Sequence, residues 1–257
     1  MARIKQCRMN KGLRNSFSPF MHKYGLHNIK NKNKPCIFFG VYWNDITVLL
    51  SHKSLAIAVW RGSDSMNEKR IKKCKKRDNI KHVAISSFIE KDLKKCGVKY
   101  KFLPIVGTNA KIFSPCPLGN EIYTYIPNSK PNFYGMEIVK KLQKKSRFKI
   151  NIIGGGKRYT RQELINIYKR CFIGLRLTKH DGIANTVVEL GLMGRRCIYN
   201  DSRVPCSISW SDENIDGIID SIEGESQKIG QTDIDVHKLM KSYINIGEDW
   251  LKPKFWR

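Results

Sequence analysis

Short apolar runs alternate with helix-length stretches along most of this chain, and few architectures accept that rhythm. The runs at residues 36–42, 55–60, 82–85 and 100–104 are apolar on both faces and read as buried parallel strands. Between them, residues 45–52, 67–77 and 87–96 have helical character, at spacings that suit βαβ crossovers. Ser86-Ser87 followed by Glu90 signals the start of the last of these helices, and Gly97 stops it. A second series places strands at 121–126, 148–153, 171–176 and 196–199, with helices at 134–145, 160–170 and 183–194. Acidic helices follow near 211–224 and 234–246. Pro115, Pro117 and Gly119 mark a connection between the two series. The fold class expected is therefore α/β, with two doubly wound, mainly parallel-sheet halves: a reduced, basic domain over residues 1–107, a linker at 108–120, and a second domain at 121–257. Residues 1–34 read as a basic, Asn-rich arm or an irregular start, anchored by Phe17, Phe20, Met21 and Leu26, which leaves only four strands in the first half.

Charge is the compositional outlier. The 257 residues carry 48 Lys and Arg against 22 Asp and Glu, a formal net charge of +26. Residues 1–111 hold 25 basic and 6 acidic side chains, and the remainder 23 and 16. A codon bias towards Lys, Asn and Ile would spread lysine evenly. The concentration in the first half instead favours a polyanionic partner, nucleic acid or an anionic membrane surface. The eight cysteines are scattered, with no CxxC and no clustered histidine, so they read as small buried hydrophobes in a reducing, cytoplasmic compartment. They suggest no metal site. No apolar h-region marks a signal peptide, and no run reaches the roughly 20 residues that span a bilayer. The expectation is a soluble or peripheral protein.

The densest functional signal lies at residues 174–200, GLRLTKHDGIANTVVELGLMGRRCIYN. A strand ends in a polar turn with Asp181-Gly182, a helix carries Glu189 eight positions on, and a second strand follows. In open α/β sheets ligands bind at the carboxyl ends of the strands, where a carboxylate accepts hydrogen bonds from sugar or ribose hydroxyls. Asp181-Gly182 with Glu189, and the following ELGLMGRRCIYN, resemble the Glu-x7-Glu signature of GT-B glycosyltransferases, in particular the retaining, glycogen-synthase-like group. The resemblance extends over about residues 38–200, and its one sharp motif departs from the family in having Asp at the first position. It implies two Rossmann-like halves facing a cleft, a nucleoside-diphosphate sugar held in the second half by Glu189 on the ribose, and Asp181 beside the sugar. The alternative is an ordinary βαβ unit with Glu189 solvated or capping.

Other candidates cluster at strand ends. Gly154-Gly155-Gly156-Lys157-Arg158 follows a strand and precedes a helix, where backbone amides and two cations suit a diphosphate, or a plain tight turn. The resemblance implies an Arg and a Lys after the first strand of the second half. The Arg is missing here, and Tyr134 stands before Gly135 in place of the Lys. Lys130, Lys157, Arg158, Arg176 or Lys179 would substitute. Asp64, in Trp60-Arg61-Gly62-Ser63-Asp64, is a candidate to orient the acceptor or act as general base, and otherwise caps the next helix. Asp45 carries the same two readings, and Trp43 is either an acceptor contact or core. His180 reads as an exposed turn residue. The run Lys69, Arg70, Lys72, Lys73, Lys75, Lys76, Arg77 is a solvated helix face or, given the charge asymmetry, a phosphate-contacting acceptor surface together with Arg61.

These readings converge on transfer of a hexose from a UDP-sugar or similar donor to a polyanionic acceptor. Catalysis would rest on Asp64, Asp181 and Asp45, without a cofactor or a required metal. A hydroxymethylated base in DNA is the acceptor favoured, since phage enzymes that glycosylate such bases use GT-B folds. A glycolipid or polysaccharide at a membrane is one alternative. A non-catalytic nucleic-acid-binding protein on a degenerate GT-B scaffold is another. The absence of GxxxxGK[ST] and of a well-placed GxGxxG argues against other nucleotide enzymes.

Overall fold

The computed structural model describes residues 3–211 and 214–257. The chain forms two compact units. Unit 1 comprises Met1–Asn109, His180–Ile183 and Ile244–Arg257, and unit 2 comprises Ala110–Lys179 and Ala184–Tyr243. This partition differs from the division by sequence in that two later segments, 180–183 and 244–257, pack with the first half.

Unit 1 contains β1 (Gln6–Met9), α1 (Lys11–Tyr24), β2 (His27–Asn28), β3 (Cys36–Phe39), α2 (Trp43–Leu50), β4 (Ala56–Trp60), α3 (Glu68–Lys75), β5 (Ile80–Ala84), α4 (Ser87–Lys95) and β6 (Tyr100–Phe102). Its six strands run in the order β2-β1-β3-β4-β5-β6, all pairs parallel. β3 and β4 are buried at every residue, as parallel strands covered on both faces must be. The expectation of an arm over residues 1–34 is corrected: β1 is an interior strand, paired with β2 and β3. Polar Gln6 hid it, and the fold satisfies that side chain locally. Its Oε1 accepts from Lys30 N (2.9 Å) and Asn31 N (3.0 Å), and its Nε2 donates to Asn31 O (3.1 Å). Phe17 and Phe20 of α1 pack on Phe39, with ring centroids 5.5 and 5.7 Å apart. Trp250 closes this cluster against Phe20 and Tyr24, which explains why the final stretch belongs to unit 1.

Unit 2 contains β7 (Glu121–Ile126), α5 (Met136–Lys145), β8 (Ile150–Gly154), α6 (Arg161–Arg170), β9 (Cys171–Arg176), α7 (Asn185–Leu192), β10 (Arg196–Tyr199), β11 (Ser207–Ile208), α8 (Ile215–Ser226) and α9 (Ile234–Tyr243). Its parallel sheet runs β11-β10-β9-β7-β8. The core joins Ile122 and Phe172 of the strands to Val139, Leu142, Ile218 and Ile222 of α5 and α8. Residues 116–119, expected in a linker, are bound into this unit. Buried Arg195 donates to Cys116 O (3.0 Å) and Pro117 O (2.7 Å), and Leu118 N donates to Gln231 O (2.8 Å).

Candidate active-site residues

In unit 2 the strand order reverses between β7 and β9, the place where an open α/β sheet leaves a crevice at its carboxyl edge. Arg176, the last residue of β9, is buried with its guanidinium 4.6 Å from the centre of the Tyr134 ring. Gly135 (φ 79°) joins Tyr134 to α5, and a Cβ there would stand 2.6 Å from Leu177, so glycine is what lets α5 begin against the end of β9. The glycine turn after β8 divides into two functions. Gly154 abuts the end of β7, where a Cβ would meet Ile126 O at 2.3 Å. Gly155 and Gly156 are exposed, and a Cβ on either would meet only the Asn128 side chain, at 3.7 Å. Lys130, Lys157, Arg158 and Lys179 are exposed. The helix start after the glycine turn is not open to phosphate: Thr160 and Glu163 close α6 with a reciprocal capping box. α5 and α7 instead begin without a side-chain cap.

Glu189, in α7, is only 2 % exposed and faces inward. Tyr168 Oη donates to its Oε2 (2.7 Å), and the Arg161 guanidinium donates to its Oε1. Burial raises its pKa, and Arg161 and Tyr168 offset that only in part. The alternative of a solvated or capping Glu189 is thereby replaced by a buried ion pair whose cation, 45 % exposed, stands towards solvent.

Asp181 and Gly182 lie with unit 1. A Cβ on Gly182 would meet Arg61 O at 2.2 Å, and Asp181 O accepts from Ser86 Oγ (2.9 Å). His180 is not the exposed turn residue the sequence suggested: its Nε2 lies 2.8 Å from Asp92 Oδ2, which also accepts from Ser65 Oγ (2.6 Å).

Asp64 departs from the role of acceptor-orienting base. It is fully buried, and its oxygens accept from Val41 N (2.8 Å), Arg61 N (2.9 Å), Gly62 N (2.9 Å) and Ser65 N (3.1 Å). It clips the loop after β3 to the loop after β4. Burial raises its pKa against those donors. Asp45 is buried and paired with Arg8 Nε at 2.7 Å, at the point where the strand order reverses between β1 and β3. Arg61 donates to Ile105 O (3.2 Å) and lies 4.2 Å from the Phe17 ring centre, so it braces the unit rather than facing an acceptor. Burial lowers its pKa to about 10, and the nearby Tyr42, Asp64 and Asp181 oppose the shift. Trp43 is not core: it is 78 % exposed, with Arg70 5.2 Å from the ring centre. Arg70 is buried, whereas Lys69, Lys72, Lys73, Lys75, Lys76 and Arg77 are exposed.

Sequence reasoning missed Arg161, Tyr168 and Asp92. Arg161 and Tyr168 are seven positions apart on α6, a spacing that puts them on one face, but nothing in the order of residues pointed that face at Glu189. Among the described residues no group of three His, Cys, Asp or Glu is placed to hold a metal, and no helix is long and apolar enough to cross a membrane. All eight cysteines are free thiols.

No protein-family model matches the chain. No curated protein matches it by sequence. Solved structures do match by shape. Sucrose-phosphate synthase from Thermosynechococcus elongatus is similar over 89 % of this chain and 72 % of its own, at TM-score 0.60 and 12 % identity. TarM is similar over 88 % of this chain at TM-score 0.58 and 12 % identity, and the chain spans only 55 % of TarM. An S. aureus TarM mutant in complex with fondaparinux, α-GlcNAc-glycerol and UDP matches at TM-score 0.55 and 10 % identity, over 88 % of this chain and 54 % of its own. Two parallel-sheet α/β units of the kind these proteins share therefore make the fold of this chain that of the GT-B glycosyltransferases.

Proposed function

We propose that this chain is a glycosyltransferase that moves a hexose from a nucleoside-diphosphate sugar, a UDP-sugar in the first instance, to a hydroxyl on a polyanionic acceptor. The observation that carries the reading is Glu189: an inward-facing carboxylate next to an exposed cation, in a sheet unit of this fold. Arg161 and Tyr168 make the burial of this carboxylate tolerable, and of the two only Arg161 reaches solvent. Here a ribose diol would bring two O–H donors to Glu189 Oε1 as Arg161 turns outward, and Arg161 would then stand beside the nucleotide. The match to a TarM complex that contains UDP supports the choice of nucleotide.

In the transfer itself, the bond from the anomeric carbon to the diphosphate oxygen breaks, and a bond to the acceptor oxygen forms. The hydroxyl proton passes to the departing diphosphate. Arg176, with Lys130, Lys157, Arg158 and Lys179, would neutralise that leaving group, together with amides at the uncapped starts of α5 and α7 and in the turn at Gly155 and Gly156. Asp181 is assigned beside the sugar. The cation set makes a metal unnecessary for charge neutralisation, and the free thiols suit a reducing, cytoplasmic setting.

The charge excess of the first 111 residues supports a polyanion as acceptor, and a hydroxymethylated base in DNA is our choice. A membrane-surface glycolipid is the alternative that the same charge would serve. One observation favours a non-catalytic reading: of the three catalytic candidates, Asp64 is fully engaged in the framework and Asp45 is buried and paired with Arg8. Incubation with mixed sugar nucleotides and hydroxymethylated or plain DNA, followed by mass spectrometry of the nucleosides, decides among these. A hexose on the modified base supports the proposal. A product only on lipid extracts replaces the acceptor, and no product with any acceptor leaves the binding protein.

A further inference from the structure

Trp43 of α2 and the lysine-rich helix α3 are linked in unit 1 through Arg70. Trp43 opens α2, at the carboxyl end of β3, and its ring is 78 % exposed, unlike Trp60, Trp250 and Trp256, which are buried. A tryptophan so exposed loses the burial that ordinarily keeps it in a fold. Its position is nevertheless defined, because the Arg70 guanidinium lies 5.2 Å from the ring centre and is itself buried. Arg70 belongs to the first turn of α3, so the residue that fixes the indole also ties it to the helix that carries the lysines.

Lys69, Lys72, Lys73 and Lys76 recur at helical spacing, opposite the buried Ile71 and Cys74. Not all of that charge is available. Glu68 pairs with Lys72 (3.4 Å) and Lys95 (2.6 Å), and Lys75 Nζ donates to Cys96 O (3.2 Å). Among the described residues no carboxylate lies within ion-pair distance of Lys69, Lys73, Lys76 or Arg77. These four are the cations a ligand would meet: Lys69 and Lys73 on α3, and Lys76 and Arg77 just past its last residue, Lys75.

We propose that this surface binds single-stranded or locally opened nucleic acid, with a base stacked on Trp43 and the adjoining phosphates on Lys69, Lys73, Lys76 and Arg77. A row of cations alone would fit any polyanion. An exposed aromatic ring held by a residue of the same helix selects one whose units carry flat rings, and stacking of that kind tolerates any base. Duplex DNA shields its base faces, and lipid headgroups present none. The inference refines the proposed function by naming the state in which the acceptor is held. It rests on that reading only for its catalytic consequence, since the binding needs no sugar donor.

The test uses the whole protein without a sugar nucleotide. Oligothymidylate of about 12 nucleotides, a site size typical of single-strand binding surfaces, is titrated while tryptophan emission is followed. Duplex of equal length, inorganic polyphosphate, and vesicles of phosphatidylglycerol and phosphatidylcholine serve as the other arms. The proposal expects the oligonucleotide to quench emission and bind more tightly than the duplex, and polyphosphate to bind without quenching. W43A should weaken oligonucleotide binding about 10-fold while W43F retains most of it. Reversing three of the charges, K69E/K73E/K76E, should reduce the slope of log affinity against log salt by about 2. All of these positions are exposed, so the variants keep their fold. Equal binding by W43A, tighter binding by duplex or vesicles, or quenching by polyphosphate overturns the proposal. A positive result without glycosyl transfer would leave this surface standing and remove only the enzyme.

Discussion

Asp64 and Glu189 are both buried carboxylates, yet they differ in what their partners can do. All four donors to Asp64 are backbone amides of two loops, which cannot leave without unfolding those loops. Asp64→Asn places an amide donor against amide donors and should lower stability by about 2–4 kcal/mol, read by denaturant unfolding. The folded fraction should turn over at the parent rate, and a rate loss with unchanged stability would return Asp64 to the catalytic set. Glu189 is held by side chains, and Arg161 is exposed enough to be exchanged. Its raised pKa also sets a sign for pH dependence. Under the proposed function donor binding needs the ionised form, so nucleotide affinity should fall on acidification, beginning above the ordinary value of 4.5. A calorimetric pH series should show this in the parent and not in Glu189→Gln.

Between β4 and β5, a buried pair reports on the unit 1 sheet. Trp60 Nε1 donates to His82 Nδ1 (3.1 Å), and the rings lie nearly parallel at 9°. The acceptor nitrogen must stay unprotonated. Burial first, then Lys81, lowers the His82 pKa from 6.5 to about 4. The unfolded chain therefore takes up a proton at a pH where the fold does not, and stability falls as pH drops from about 6.5 to about 4. Between pH 7 and pH 5 the loss from this residue should be about 2 kcal/mol. Urea unfolding at the two pH values checks it: His82→Asn, which keeps an acceptor without titrating, should lose less by that amount, and an equal loss in both proteins contradicts the assignment. The elements themselves were largely legible. β7, β9 and β10 coincide with the ranges read from sequence, because each is a continuous apolar run bounded by turn residues. β1 was not, because Gln6 and Arg8 break its pattern, and their partners, residues 30–31 and Asp45, lie far along the chain. β2 and β11, two residues each, are too short for any periodicity. The candidate site follows the same division. Strand-end glycines and cations could be read from spacing, whereas the Arg161–Glu189–Tyr168 cluster depends on how α6 packs against α7.

For the whole molecule, two separate parallel sheets let the strongly basic first half and the proposed donor-binding residues of unit 2 occupy different units. The fold likeness covers nearly all of this chain and about half of TarM. The proposed function requires unit 2 to grip a nucleotide through Glu189. Isothermal titration of the full chain with UDP, at neutral pH and low salt, tests that most directly. Saturable one-to-one binding is expected for the parent, and binding at least about 10-fold weaker for Glu189→Gln, from the loss of a charged hydrogen-bond acceptor. UDP binding of equal strength in both proteins, or none in the parent, would contradict it.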